Sequence, residues 1–213
     1  MEKVEIVKRY VDELINSPIN IVGYKDFEEA YHYLYKDSVF AVKREDLGEK
    51  FLDVGTGGGI PGVFLAVEYD VYGLLIDSIS KKVEYAKHLC EELGIKNVDF
   101  LCIRAEELKN NGKYREYFDS AVSRAVSKIA TVLELTTPYV RIGGKILLYK
   151  GPGYNEELSQ SVVAMKELGV KLLEVREYSI RGKERFLVVF QKIAPTPEKY
   201  PRKVGVPEKR PIK

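Results

Sequence analysis

A glycine-rich segment at residues 51–62, F-L-D-V-G-T-G-G-G-I-P-G, has the composition of a loop that holds a small ligand against its backbone. It follows a short apolar run, and glycines permit a tight turn and a close approach that side chains would block. Two registers are open. Gly57, Gly59 and Gly62 spell the dinucleotide pattern G-x-G-x-x-G, whereas Gly55, Gly57 and Gly59 spell G-x-G-x-G. The ligand must therefore be inferred from the residues that surround the loop.

Acidic residues near the predicted strand ends favour S-adenosylmethionine. Asp53 precedes the first glycine, where a carboxylate would oppose a pyrophosphate but would tolerate an ammonium or a sulfonium. Asp77 ends the second predicted strand, where an acid can accept hydrogen bonds from both ribose hydroxyls, although it can also cap the next helix. Ala105 and Glu106 follow the third strand, where an adenine amino group needs an acceptor. Together these positions predict S-adenosylmethionine rather than NAD.

Strand and helix patterns alternate from residue 50 onward, which determines where these residues meet. Apolar runs predict strands at 50–54, 71–76, 98–103, 118–122 and 145–149, with helices near 60–69, 80–93, 125–137 and 154–168. Such alternation is typical of a parallel sheet with helices on both faces. Two later runs joined by R-G-K-E predict an antiparallel hairpin. We therefore predict an α/β fold, the Rossmann-like class I S-adenosylmethionine-dependent methyltransferase with a mostly parallel seven-stranded sheet, rather than a six-stranded parallel dehydrogenase.

Three regions are expected: an N-terminal helical extension at 1–46, a methyltransferase domain at 47–194 and a basic, proline-rich tail at 195–213. The first predicted helix has an apolar face, formed by Val4, Val7, Val11 and Leu14. A second helix is expected to begin at Asp26, whose side chain can cap it. Three tyrosines in that helix, Tyr31, Tyr33 and Tyr35, could stack on bases, but packing with their hydroxyls at the rim is the favoured interpretation. The prolines of the tail exclude a helix or a central strand, so we expect an extended segment that is bound to the surface or mobile.

Composition limits the remaining possibilities. The 213 residues carry a formal charge of +2, so a surface that binds a polyanion must be local. The start of the chain lacks the apolar core of a signal peptide, and no run approaches the length of a membrane span, so we expect a cytoplasmic protein. Cys90 and Cys102 are predicted to be two buried thiols in a reducing compartment. With only two histidines, no metal site is expected, and nothing in the sequence demands more than a monomer.

Several motifs together resemble one family. D-V-G-T-G-G-G-I-P-G, L-I-D-S-I-S-K-K, R-A-E-E and S-R-A-V are similar to motifs of the bacterial small-subunit ribosomal RNA methyltransferase G family, also called glucose-inhibited division protein B. R-F-L-V-V-F and the tail T-P-E-K-Y-P-R-K-V-G-V-P-E-K-R-P are similar to the ending of that family. The I-P-G, S-R-A and K-Y-P-R segments are the most specific. Leu34 stands where the family often has a histidine.

The resemblance implies methyl transfer from S-adenosylmethionine to N7 of one guanine in 16S ribosomal RNA, in a loop near the decoding site. It implies a set of cofactor contacts, namely Gly55, Ile60, Ala105, Glu106 and Arg124. The G-x-G-x-G register adds Thr56, Gly57 and Gly59. Ser123, Arg124 and Lys150 are the predicted catalytic residues because they follow the fourth and fifth strands. Arg124 could instead form an ion pair at a helix start, and Lys150 could be an exposed lysine.

The tail is the predicted RNA contact, either with naked 16S RNA, with the 30S subunit or with an assembly intermediate. Its candidate cations for phosphates are Lys199, Arg202, Lys203, Lys209 and Arg210. The alternative is a solubilising tail. We expect removal of residues 195–213 to weaken RNA binding and to spare cofactor affinity. Two rival functions stay open: a methyltransferase acting on a small molecule, which would not need this tail, and a non-catalytic RNA-binding assembly factor, which would not need the loop, Asp77 or Arg124.

Overall fold

Seven strands form the mixed sheet at the centre of the computed structural model, which describes residues 2–213. The strands are β1 Lys50–Val54, β2 Tyr72–Asp77, β3 Val98–Cys102, β4 Phe118–Arg124, β5 Val140–Lys150, β6 Val170–Ile180 and β7 Lys183–Lys192. Their order is β3-β2-β1-β4-β5-β7-β6, in which the first five are parallel and β7 runs antiparallel to both of its neighbours. The predicted fold class, including the C-terminal hairpin, is confirmed.

Short and medium helices cover the sheet. They are α1 Lys3–Ile15, α2 Phe27–Ala30, α3 Asp37–Val39, α4 Arg44–Leu47, α5 Gly62–Tyr69, α6 Ser80–Leu93, α7 Ile129–Thr136, α8 Tyr154–Ser159, α9 Val162–Leu168 and α10 Val206–Lys209. A π-helical segment, Tyr31–Lys36, joins α2 to α3, and 3₁₀ turns lie at Ala105–Asn110, Gly112–Tyr114 and Thr137–Tyr139. The helix predicted at 154–168 is two helices, because the Ser161 hydroxyl donates to the Leu158 carbonyl at 2.8 Å and competes with helical bonding there.

The two faces of the sheet carry two apolar cores. Phe51 and Leu75 point into the core that contains α1 and α5, whereas their neighbours Leu52 and Leu74 point into the core that contains α7 and α9. This alternation follows from the two-residue period of a strand. The sheet therefore holds the ends of β1 to β5 rigidly, which is where the predicted site residues stand.

The N-terminal extension is part of the first core. Val7, Tyr10, Val11 and Leu14 of α1 are buried, but Val4, which was predicted on the same face, is exposed. Tyr10 is fully buried, and its hydroxyl is satisfied by donating to the Gly58 carbonyl at 2.9 Å in the glycine loop. The second helix begins as predicted, since the Asp26 carboxylate accepts the Glu29 N–H at 2.8 Å.

The chain reverses its direction sharply in the two-residue turn between β6 and β7. Arg181 and Gly182 have φ of 49° and 77°, so both central residues are left-handed, as a two-residue hairpin turn with the right twist requires. Cys90 is buried as predicted, but Cys102 is exposed because it ends the edge strand β3. Across residues 2–213, every helix is too short or too polar to span a lipid bilayer.

Candidate active site

A cleft opens at the carboxyl ends of β1 to β4. It encloses about 380 Å³, within the range of roughly 300–1,000 Å³ that small-molecule pockets occupy. Six of the predicted site residues line it, namely Gly55, Gly57, Asp77, Ala105, Glu106 and Arg124. We call it the cofactor cleft. The topology brings these residues together because parallel strands end at the same edge of the sheet.

The glycine loop forms one wall of the cofactor cleft. Gly55, Gly57 and Gly59 have φ of 77°, 54° and 83°, a left-handed conformation that favours glycine. A side chain on Gly55 would also collide with Val126, whose Cγ2 would lie 2.2 Å from the added Cβ. A Cβ on Gly57 would instead meet no atom within 4 Å. The G-x-G-x-G register is thus the one with unusual backbone geometry, and its middle glycine leaves the backbone open to a ligand.

Asp53 lies behind the loop rather than in the cleft. Its side chain is buried, and Oδ2 accepts the Gly62 N–H at 2.9 Å, which holds the start of α5. Within residues 2–213, neither Oδ1 of Asp53 nor the buried Thr56 hydroxyl has a hydrogen-bond partner. Burial raises the pKa of the Asp53 carboxyl to about 7, against the opposing effect of the Gly62 N–H. Asp53 and Thr56 therefore support the loop from inside the protein.

Two more of the predicted cofactor residues face the N-terminal extension. A Cβ on Gly59 would lie 2.3 Å from the Tyr10 hydroxyl oxygen, so α1 packs directly on this glycine. Ile60 is half-buried against the same core. Like Asp53 and Thr56, these two residues shape the loop and do not line the cofactor cleft.

Asp77 is placed to serve both roles considered from the sequence. Its Oδ2 accepts the Gly57 N–H at 2.9 Å, and its Oδ1 accepts the Ile79 N–H at 2.9 Å, just before α6 begins. The carboxylate is only partly buried and lines the cofactor cleft. Each oxygen keeps a lone pair for a further donor. Capping the turn and accepting bonds from a ligand are therefore compatible.

The Ala105–Glu106 pair is joined to the C-terminal tail. The Glu106 Oε1 accepts the Gly205 N–H at 2.9 Å, and only 6% of Glu106 is exposed. The Ala105 carbonyl accepts a hydrogen bond from the Tyr139 hydroxyl. Gly205 carries no sequence signal for this role, since no local pattern links two positions so far apart. One wall of the cofactor cleft is therefore fixed by the tail.

Arg124 anchors the N-terminal extension at the end of β4. Its Nη2 donates to the Tyr33 carbonyl at 2.6 Å and lies 3.5 Å from Oδ2 of Asp37, which is buried. The ion pair considered as an alternative for Arg124 is thus present, with a partner from the extension. Asp37 was not singled out, although the segment L-Y-K-D-S held the signal. The adjacent Ser123 is buried, and its hydroxyl donates to the Val54 carbonyl at 2.9 Å.

Lys150 is not an exposed lysine. Its Nζ donates to the Ser127 carbonyl at 2.7 Å and to Oε2 of Glu157 at 2.7 Å. It thereby holds the loop after β4, where Ala125 has a strained φ of 57°. That loop separates the cofactor cleft from a second cleft, which is lined by Asp37, Ala125, Val126, Tyr149, Lys150 and Glu157. We call the second cleft the acceptor cleft, and both clefts share Arg124, Ala125 and Val126.

The tail is bound to the surface, one of the two states expected for it, but it contains a short helix, which its prolines were expected to exclude. Helix α10 forms because Pro207 stands in its first turn, where a backbone N–H has no helical partner. Arg202 donates three hydrogen bonds through its guanidinium, at 2.6, 2.9 and 3.1 Å, to the fully buried Glu134. Tyr200 and Ile212 are also buried. The tail is therefore a strap on the outside of α7.

The five predicted RNA contacts divide into two groups. Arg202 pairs with Glu134, and Lys199 lies 3.1 Å from a carboxylate oxygen of Glu167. The side chains of Lys203, Lys209 and Arg210 are exposed, and within residues 2–213 they have no ion-pair partner. The first group holds the strap, and the second is available to phosphates. No group of three or more His, Cys, Asp or Glu side chains in residues 2–213 is placed to bind a metal ion.

Comparisons with known proteins agree with this architecture. A family model described as GidB, rRNA small subunit methyltransferase G, matches residues 3–187. The ribosomal RNA small subunit methyltransferase G of Fervidobacterium nodosum is 72% identical over 213 residues, with 100% of both chains covered. The protein of that name from Thermotoga neapolitana is 40% identical over 212 residues, which cover 99% of this chain and 92% of the relative.

Solved structures show the same fold at low sequence identity. A geranyl diphosphate methyltransferase in complex with SAM aligns with a TM-score of 0.59 and 13% identity, covering 85% of this chain and 95% of that chain. A rRNA methylase from Streptococcus thermophilus aligns with a TM-score of 0.54 and 16% identity, covering 71% and 92%. These two likenesses concern the fold alone. The family model and the sequence relatives decide the family: the chain belongs to the rRNA small subunit methyltransferase G family.

Proposed function

We propose that this protein transfers a methyl group from S-adenosylmethionine to N7 of a guanine in 16S ribosomal RNA, in a loop near the decoding site. The observation that carries the proposal is the cofactor cleft, in which the glycine loop, Asp77 and Glu106 converge beside a second cleft, in a member of this family. S-adenosylmethionine, when bound, supplies an electrophilic methyl group on a sulfonium. The protein belongs to a class of enzymes that must align this group with its acceptor.

The residues of the cofactor cleft fit that cofactor. A Cβ at Gly57 would meet no atom within 4 Å, which supports a close approach of the ligand to the backbone there. The Asp77 carboxylate can accept bonds from two ribose hydroxyls, and the Ala105–Glu106 turn can hold an adenine ring. Gly55 and Gly57 would border the amino-acid end, with Arg124 near its carboxylate. Asp53, Thr56, Gly59 and Ile60 would act indirectly, by holding the loop in shape.

The chemistry demands little proton transfer from the protein. Guanine N7 has an in-plane lone pair and no proton, so no general base is required, and the absence of a histidine from the lining of either cleft is no obstacle. The protein must instead fix the acceptor base and exclude water. Lys150 would contribute by holding the loop that separates the two clefts, Arg124 by joining the end of β4 to the N-terminal extension, and Ser123 by fixing the end of β4 against β1.

RNA is the substrate that this arrangement favours. In an A-form helix N7 lies in a deep, narrow groove, so the target guanine must be unpaired or in a distorted region. Lys203, Lys209 and Arg210 on the tail are suited to phosphate contacts. We propose that a monomer acts in the cytoplasm on the 30S subunit, on naked 16S RNA or on an assembly intermediate.

The test is methyl incorporation with base mapping. The protein is incubated with radiolabelled S-adenosylmethionine and, separately, 30S subunits, naked 16S RNA and a total extract of small metabolites. We expect label in one guanine of 16S RNA, with cleavage at that base after treatment that opens N7-methylguanine. Label only in a metabolite would support the small-molecule alternative, and cofactor binding without any transfer would support the assembly-factor alternative.

A further inference from the structure

We infer that Glu157 is the residue that recognises the target guanine, by accepting hydrogen bonds from its N1–H and N2–H groups in the acceptor cleft. This inference rests on the proposed function and names the part of the site that selects the base. It assigns to α8, which the sequence motifs do not include, a direct contact with the substrate.

The Glu157 carboxylate is held in a fixed orientation. Its Oε2 accepts two hydrogen bonds, from Lys150 Nζ at 2.7 Å and from the Ile129 N–H at 3.0 Å. Glu157 lines the acceptor cleft, and its Oε1 has no hydrogen-bond partner within residues 2–213. A carboxylate fixed at one oxygen presents the other in a defined direction, with little rotational freedom to lose when a ligand binds.

The other charged groups of the acceptor cleft are already paired. Asp37 receives Arg124 and Arg185, each at 3.5 Å, and the Tyr178 hydroxyl at 2.9 Å. Lys150 is held by Ser127 and Glu157. Glu157 Oε1 is therefore the anionic acceptor that remains for a ligand among the charged side chains described in this cleft.

The arrangement of donors and acceptors on guanine suits an anionic acceptor in this position. The N1–H and N2–H donors of guanine lie on one edge, and N7 and O6, both acceptors, lie on the opposite edge. A guanine bound to Glu157 through its donors turns N7 away from α8, toward the loop at Ala125 and Val126 that borders the cofactor cleft. Adenine has an unprotonated N1 at the corresponding edge, which a carboxylate would repel. One carboxylate thus explains both orientation and base choice.

Lys150 becomes a positioning residue in this arrangement. It sets the Glu157 carboxylate and the Ser127 carbonyl at the same time, and only 12% of its side chain is exposed. It therefore acts on the base through Glu157. Its presence after β5 was detected from the sequence, whereas Glu157 has no distinguishing local pattern.

The experiment compares guanine with inosine, which keeps N7, O6 and N1–H but lacks the N2 amino group. Small subunits are reconstituted with 16S RNA that carries either base at the methylated position, and kcat/KM is measured for the wild type, Glu157→Gln and the matched control Glu156→Gln. Glu156 lies on the same helix, and within residues 2–213 the one hydrogen bond to its carboxylate comes from the Gln160 side-chain amide, at 3.2 Å. The ratio of the two kcat/KM values does not depend on the fraction of folded enzyme.

We expect the wild type and Glu156→Gln to prefer guanine by about tenfold, the effect of one charge-assisted hydrogen bond. In Glu157→Gln the amide oxygen can replace Oε2, so an NH₂ donor faces the base and the ratio falls to about one. An unchanged guanine preference in Glu157→Gln, or a wild-type ratio of one, would overturn the inference while leaving the proposed function intact. A wild type that methylates no guanine RNA would remove the proposed function, and this inference with it.

Discussion

The N-terminal extension and the C-terminal tail are attached to the methyltransferase domain by ion pairs of opposite polarity. The extension supplies a carboxylate, Asp37, to Arg124 of the domain, and the tail supplies a guanidinium, Arg202, to Glu134 of the domain. Both segments also reach the walls of the cofactor cleft, the extension through Arg124 and the tail through the bond from Gly205 to Glu106. Two segments that are remote in sequence therefore stabilise the same site from opposite sides.

The two segments differ in what else holds them. Tyr10 and Leu14 of the extension are fully buried in the first apolar core, so the extension is stabilised by apolar burial whether or not its ion pair forms. The tail buries few large side chains, and polar contacts hold it, among them hydrogen bonds from Arg115 and Lys109 of the domain to its backbone carbonyls. The tail should therefore depend more strongly on its ion pair than the extension does.

The largest expected effect tests that difference at the tail. Arg202→Ala leaves the buried Glu134 without its cation, and we expect the free energy of unfolding to fall by about 4 kcal/mol. We also expect weaker binding of S-adenosylmethionine, because release of the tail frees Glu106 from Gly205. Chemical denaturation and calorimetric titration measure the two effects, with Lys203→Ala as the control at the neighbouring exposed position. Unchanged cofactor affinity in Arg202→Ala would show that the tail does not shape the cleft.

This expectation revises the one drawn from the sequence. Removal of residues 195–213 was expected to spare cofactor affinity, but the Gly205–Glu106 contact makes the tail part of the cofactor cleft. We now expect the truncated protein to lose both cofactor affinity and RNA affinity.

The next largest effect is expected at Asp53. Unlike Asp37 and Glu134, this buried carboxyl has no cation partner within residues 2–213, so it serves as a reference for the two anchors. Its pKa is raised from 3.8 to about 7, so the folded state binds a proton more tightly than the unfolded state does. The raised pKa therefore increases the free energy of unfolding by its full amount below pH 4, and this increase is lost as the pH rises to 7. Between pH 5 and pH 8 we expect the wild type to lose about 3 kcal/mol of unfolding free energy relative to Asp53→Asn, by the usual 1.36 kcal/mol per pKa unit. Parallel pH profiles of the two proteins would contradict the raised pKa.

A smaller effect is expected at the anchor of the extension. Asp37→Asn removes the charge that faces Arg124 and Arg185 but keeps a side chain that can bind Tyr178, and we expect a loss of about 2 kcal/mol. The rate of methyl transfer by the folded variant should also decrease, since Arg124 borders both clefts. Denaturation and single-turnover kinetics measure these effects, with the exposed Asp26→Asn as a control for a helix cap. A larger loss for Asp37→Asn than for Arg202→Ala would reverse the comparison of the two segments.

The smallest effect on stability is expected for the exposed tail cations. The triple variant Lys203→Ala, Lys209→Ala, Arg210→Ala should change the unfolding free energy by less than about 0.5 kcal/mol. Its RNA affinity should fall, and the slope of log affinity against log salt should become shallower by about three, one for each phosphate contact. A salt titration of RNA binding measures this slope. An unchanged slope would assign RNA binding to another surface.

The sequence by itself determined the sheet, the glycine loop and the residues at the strand ends. Gly55, Asp77 and Glu106 were identified because each follows an apolar run, and parallel strands deliver their carboxyl ends to one edge whatever the rest of the chain does. These are local signals, set by a two-residue period, turn chemistry and glycine backbone freedom.

Only the tertiary structure decided which side chains face the cleft and which support it. The side chains of Asp53 and Thr56 are buried behind the loop, Arg124 pairs with Asp37, and Glu106 accepts a hydrogen bond from Gly205. The last two contacts join segments that no local pattern relates. The tail was expected to be extended and either bound to the surface or mobile. It is bound to the surface and partly helical, and the partner of Arg202 is a glutamate on an otherwise apolar helix. Long-range ion pairs depend on the relative positions of packed elements, and those positions are fixed only when both cores have formed.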